Sequence, residues 1–201
     1  MMNSIKRLLG FSLFALMSSA MHAQGSYNDS LNDFQQAYVK NHGVVKGNDK
    51  KLLQFYPVTA TYRVQARVER IYEAPWFKME TSGKEKQIYR VYAVLHFKLR
   101  DTLLKLHVYQ SQRLMEVKEY ADYLFVPFTD ITSGNESYDN GRYIDLTTAD
   151  LEPGTYFIDF NKAYNPYCAY VSGQYNCPVP PRENDLSVAI RAGEMMFGKG
   201  H

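Results

Sequence analysis

Two polar stretches hold most of the side chains with chemistry to offer. The first, Phe128 to Tyr143, is dense in Gly, Asn, Asp and Ser and carries Asp130, Glu136, Tyr138 and Arg142. A guanidinium grips a carboxylate through two parallel hydrogen bonds, so Arg142 suits an acidic group. Two carboxyl groups with separated pKa values suit acid–base work. The plainer reading is an ion pair of Arg142 with Glu136 or Asp130 that holds a long loop in place. The second stretch carries Asp159, Asn161, Tyr164 and Asn165, followed by Cys168, Cys177 and a run of prolines. Amides, carboxylates and aromatic faces together make the lining of a pocket for a small molecule or a glycan.

Cys168 and Cys177 are the only cysteines. In an exporting context a disulfide between them is expected, closing a loop of about ten residues worth on the order of 2–3 kcal/mol. Free thiols and metal ligation are the alternatives, and two thiols alone make an incomplete zinc site. His96 and His107 fall on the more polar face of an expected hairpin and read as surface residues rather than a metal pair. No Gly-x-Ser-x-Gly elbow, His-Glu-x-x-His helix, phosphate loop or Cys-x-x-Cys is present. No cofactor is expected.

These residues need elements to position them. A helix is expected over Asn28–Lys40, with Ser30 and Asp33 at capping-box spacing, Leu31, Phe34 and Tyr38 on one face, and Gly43 as the stop. A short turn at Lys50–Phe55 is halted by Pro57. From Thr61 the period becomes two. Strands are expected at Tyr62–Ile71, Tyr89–Leu99, Leu104–Tyr109, Tyr123–Phe128, Arg142–Thr147, Thr155–Asn161 and Ser187–Ala192. If Arg100-Asp101 forms a turn, Ala93 faces Val108, Leu95 faces Leu106 and Phe97 faces Leu104, so the apolar faces coincide. Arg-Asp is poor turn chemistry beside Asn-Gly, which leaves room for a shift. Short strands without helix-length connections imply a mainly β fold, an antiparallel barrel or sandwich with the N-terminal helix packed outside.

Residues 1–23 have the order of a cleavable signal peptide: Lys6 and Arg7, an apolar stretch from Leu8 to about Met17, then small residues before Ala20 and Ala23. The apolar stretch is short of the roughly 20 residues that cross a bilayer. Export to the periplasm or beyond is therefore expected, leaving residues 24–201 as one β-rich domain. The whole chain has 23 Lys and Arg against 21 Asp and Glu. Loss of Lys6 and Arg7 leaves it neutral, which argues against a nucleic-acid partner, since phosphate binding needs a basic surplus. No later stretch approaches membrane-spanning length, so no membrane association is expected after cleavage.

The same stretches resemble the signature of the bacterial family called domain of unknown function 1684. The resemblance runs through Phe55-Tyr56-Pro57, Phe125-Val126-Pro127-Phe128-x-Asp130, Glu136-x-Tyr138 and Gly141-Arg142-Tyr143. It continues with Asp159-Phe160-Asn161-x-Ala163-Tyr164-Asn165-Pro166, Cys168-Ala169-Tyr170, Cys177-Pro178-x-Pro180-Pro181-x-x-Asn184 and Ile190-x-Ala192-Gly193-Glu194. The family brings no activity and no catalytic residues with it. On the residues alone, the leading expectation is a binding module for a small molecule or glycan. A hydrolase using Asp130, Glu136 or Asp159 near Arg142, and a structural envelope-associated protein, are the alternatives. Oligomeric state is not legible.

Overall fold

A computed structural model describes residues 25–152 and 154–198. The expected signal peptide lies outside these residues.

Helix α1 spans residues 25–41 and stops before Gly43, as expected. Its start differs: the helix is already formed at Gly25, so Ser30 lies inside it rather than at its cap. A tertiary contact favours the extra turn. The Tyr27 hydroxyl donates to Asp159 at 3.0 Å and accepts from the Asn161 amide at 3.2 Å. Leu31 is buried and Phe34 and Tyr38 point toward the body of the protein, where they wall a cleft. The following turn is a 3-10 helix at Gly47–Leu52, slightly earlier than expected.

Eight strands follow: β1 Arg63–Arg70, β2 Phe77–Met79, β3 Gln87–Leu99, β4 Thr102–Ser111, β5 Tyr123–Asp130, β6 Arg142–Thr147, β7 Thr155–Asp159 and β8 Asp185–Leu186. Six run in the antiparallel order β6-β5-β4-β3-β1-β7, with β2 paired to β3 and β8 parallel to β5. This one sheet curls into a half barrel. Its end strands β6 and β7 do not pair, and the inside is filled from the C-terminal segment by Leu186, Ile190 and Ala192.

The central hairpin has the expected register, with Ala93 opposite Val108, Leu95 opposite Leu106 and Phe97 opposite Leu104. Arg100 tolerates the tight turn by taking φ 52°, the one positive φ outside glycine among the described residues. Between Val91 and Ala93 the ladder slips by a β-bulge. Because side chains alternate, one extra residue exchanges the faces. Tyr92, Ala93, Leu95 and Phe97 therefore enter the main core, whereas Tyr89 and Val91 join a second cluster with Tyr109, Phe125 and Tyr143. That second, aromatic cluster lies on the opposite side of the sheet.

Two expected strands are corrected. The ladder of β7 ends at Asp159, whose side chain accepts from the Asn161 backbone and starts a 3-10 turn. Ser187–Ala192 forms no ladder. The inward alternation of Val188, Ile190 and Ala192 is present, but carbonyls of this segment are taken by a side chain, Arg142.

Candidate functional site

Arg142 leaves Gly141, which takes φ 84° and where an added Cβ would lie 2.4 Å from the Phe128 carbonyl oxygen. Only glycine fits that close approach. The Arg142 side chain then runs into the protein and is 0% exposed. Its guanidinium donates to Asp130 Oδ2 at 2.7 Å and to the carbonyls of Ile190 at 2.8 Å, Ala192 at 2.6 Å and Glu194 at 3.2 Å. Asp130 Oδ1 accepts from the backbone N–H of Thr132 at 2.8 Å and of Ile190 at 3.1 Å. The pair is thus a knot that ties the C-terminal segment across the open side of the sheet, with only Nε of the guanidinium left without a partner. Glu136 is not part of it. It forms a two-pronged pair with Arg191 at 2.7–3.1 Å, which holds its pKa below the usual carboxylate range. Tyr138 is half-buried and accepts from Asn140 at 3.3 Å.

A second knot joins α1, the approach to β1 and the end of β7. Asn161 donates to Thr59 O at 2.9 Å and accepts from Thr59 N at 3.1 Å, while Asp159 accepts from both Tyr27 and Asn161. A third gathers around Glu194, which sequence reasoning did not single out. Its carboxyl is 0% exposed and accepts from the Asn165 backbone at 2.8 Å, Tyr170 at 2.7 Å and Tyr38 at 3.2 Å. Asn165 also donates to Met195 O at 2.8 Å. Burial without a cationic partner pushes the Glu194 pKa up to about 7.

Tyr164 stands apart from these knots. Its backbone bridges to Tyr143 on the free edge of β6, and its ring turns toward the aromatic face of the sheet. Along β5 and β6, Leu124, Val126, Ile144 and Leu146 point into the core, so Tyr123, Phe125, Tyr143 and Asp145 point the other way. They floor a cleft of about 790 Å³. Phe34 and Tyr38 of α1 form one wall. Tyr167, Tyr175 and Cys177 form the other, Tyr175 and Cys177 within the loop closed by the Cys168–Cys177 disulfide and Tyr167 just before it.

Asp145 is the cleft's one acid. Its Oδ1 accepts from Tyr123 and Tyr164, each at 2.7 Å, while the residue remains open to solvent through the cleft. The surrounding rings push its pKa up by desolvation, and the two phenols act against that shift. Burial and the charge of Asp145 raise both phenol pKa values, so they stay protonated as donors. Lys162 stands exposed at the mouth with its ammonium 5.7 Å from the centre of the Phe34 ring. His42 lies on the helix side, nearly buried. Its Nδ1 accepts from the N–H of Val45 at 2.9 Å and Val44 at 3.3 Å, and burial with Lys50 and Lys46 lowers its pKa.

Residues 50–195 match the family described as "Protein of unknown function (DUF1684)". The chain belongs to that family. The matched span contains the Arg142 knot, the cleft floor and the disulfide loop, while α1 precedes it. Among solved structures, the chain is similar to an uncharacterized protein of Haloarcula marismortui determined by solution NMR. The two share 28% identity and a TM-score of 0.62, over 94% of this chain and 98% of the other. No curated protein matches the chain.

Of the candidate site residues and cysteines, only Tyr164 and Cys177 line the cleft. Asp130 and Arg142 meet each other, as do Asp159 and Asn161, but each pair is spent on internal partners. Asp145, Tyr123, Tyr89 and Lys162 were missed, and Tyr143 was noted only as the end of the first polar stretch. The usable signal was Tyr143-Ile144-Asp145-Leu146, an alternation that sets an acid beside a tyrosine on the face away from the core. His96 does have a carboxylate beside it, Glu69 of the neighbouring strand at 2.7 Å, an exposed pair. Among the described residues no group of three or more His, Cys, Asp or Glu could hold a metal ion.

Proposed function

We propose that this protein is an exported binding module that takes a small organic molecule into the aromatic cleft over Asp145. The observation that carries this reading is the floor itself. A lone carboxylate is held by two phenols on a rigid sheet, beneath aromatic walls contributed by separate elements. Pockets of a few hundred cubic ångströms with apolar walls and few, fixed polar groups are typical of small-molecule sites. Unlike Asp130, which is paired with Arg142, Asp145 has no ion pair among the described residues and is exposed toward the cleft. Export is supported by the disulfide, since such bonds persist in oxidising compartments. No helix among the described residues is long and apolar enough to cross a membrane.

Binding is tested by thermal shift and by NMR against a panel of small amines, acids, alcohols and sugars. A ligand of this cleft is expected to lose at least tenfold in affinity with Tyr164→Phe, which removes one of the two bonds fixing Asp145. Full retention of affinity in Tyr164→Phe and in Asp145→Asn would move the site elsewhere. Thiol titration of denatured, unreduced protein from the native host is expected to find no free thiol. Two thiols there would count against export and release the wall that carries Tyr175.

A further inference from the structure

We infer that the cleft is built for an organic cation, an ammonium group on an apolar or aromatic body. This assignment rests on the cleft being a binding site and adds which chemistry it selects.

The argument follows the phenol protons. Tyr123 and Tyr164 give theirs to Asp145, Tyr89 gives its proton to Gln87 at 3.0 Å, and Tyr143 donates to the Pro178 carbonyl. Tyr38 donates to Glu194. Each of these five hydroxyls has therefore spent its only donor inside the protein. What remains beside Asp145 is oxygen lone pairs, ring faces and its own second oxygen, for which no protein donor is found among the described residues. The floor around Asp145 therefore accepts rather than donates, while donors line the cleft elsewhere: Lys162 at the mouth, and Asn41 and the unpartnered Nε2 of His42 on the helix side.

Electrostatics point the same way. No cation forms an ion pair with Asp145 among the described residues; Lys162 lines the same cleft at its mouth, and burial and the two phenols are what act on the carboxyl's pKa. The neighbouring histidine, His42, is held toward its neutral form, so it adds no repulsion. With one oxygen held by two phenols and the other open to the cleft without a counter-ion, Asp145 is fixed as a partner for an incoming ammonium. Ring faces attract the same group through their quadrupoles. Lys162 illustrates the pairing at the mouth, where its ammonium lies over Phe34. A sugar fits less well over Asp145, because its hydroxyl oxygens would need donors that the five phenols there have already used. A carboxylate ligand would face the charge of Asp145 directly.

The test uses three probes with one body and different charge: 2-phenylethylamine, 2-phenylethanol and phenylacetate, at pH 7. Binding is read by NMR shifts of Tyr123 and Tyr164 ring protons, with affinities from titration. The amine is expected to bind at least tenfold more tightly than the alcohol, and phenylacetate more weakly than either. In Asp145→Asn, which keeps an oxygen for the two phenols, amine and alcohol are expected to bind alike. A thermal melt of the variant confirms that it is folded. Equal binding of amine and alcohol by the wild type would overturn the cation assignment while leaving the cleft as a binding site. Preference for the amine that survives in Asp145→Asn would also overturn it. Absence of any shift at Tyr123 and Tyr164 with all three probes would sink the cleft reading as well.

Discussion

Arg142→Lys is expected to lower the melting temperature by roughly 10 °C or more while leaving amine binding in the cleft intact. The guanidinium serves Asp130 and three carbonyls at once, and the side chain is sealed from solvent. Lysine keeps the charge but has no planar fork, and its single ammonium cannot span acceptors contributed by Ile190, Ala192 and Glu194. Carbonyls and a carboxylate left unmatched in the interior cost about 3–5 kcal/mol. In a chain of this length each kcal/mol moves the midpoint by about 2–4 °C. The C-terminal segment should suffer first, because its docking is what the knot secures. Hydrogen exchange should therefore accelerate at Ile190 and Glu194 before it does in β3 and β4. A variant that melts like the wild type but no longer binds the amine would reverse this assignment and make Arg142 a ligand-binding residue.

The same residue explains where sequence reading worked and where it ran out. In the hairpin, Ala93, Leu95 and Phe97 can be set against Leu104, Leu106 and Val108 in one way across a two-residue turn, so the register was legible. The bulge beside Tyr92 was not, because two adjacent apolar residues look the same whether they share a face or alternate. Ser187–Ala192 has the alternation of a strand, yet its carbonyls bond to Arg142, and no local pattern announces a distant side chain as the acceptor's partner. Polar motif residues pose a related problem. Asp130, Arg142, Asp159, Asn161 and Asn165 have the types that build sites, but buried backbone must also be satisfied, and these side chains do that here. Asp145 was hidden for the opposite reason. An acid in an alternating strand reads as solvent-facing until α1 and the disulfide loop are known to wall the same face.

Glu194 should make the protein lose stability as pH rises from about 4.5 to 7, and Glu194→Gln should abolish that component. The carboxyl is fully buried, and its pKa is pushed up to about 7 from an ordinary 4.5, chiefly by desolvation. Arg142 does not relieve it, since that guanidinium bonds the Glu194 main-chain carbonyl rather than the carboxyl group. Between these two pKa values the folded state holds a proton that the unfolded chain has released. Stability from this group is therefore fully present below about 4.5 and declines as pH rises toward 7, then stays level. At about 1.4 kcal/mol for each pH unit, the change totals roughly 3 kcal/mol. Other groups titrate as well: His42, whose pKa is lowered, acts in the opposite sense, and Asp145, whose pKa is raised, acts in the same sense from a lower start. Comparing wild type with Glu194→Gln largely removes those contributions. Glutamine can still accept from the Asn165 backbone and can donate to the oxygen of Tyr38 or Tyr170, so the fold has a way to keep its contacts. Urea unfolding midpoints measured from pH 4.5 to 8 should show the variant gaining roughly 3 kcal/mol relative to wild type across that window. Parallel curves for the two proteins would mean that Glu194 stays ionised in the folded state, with its three donors outweighing burial.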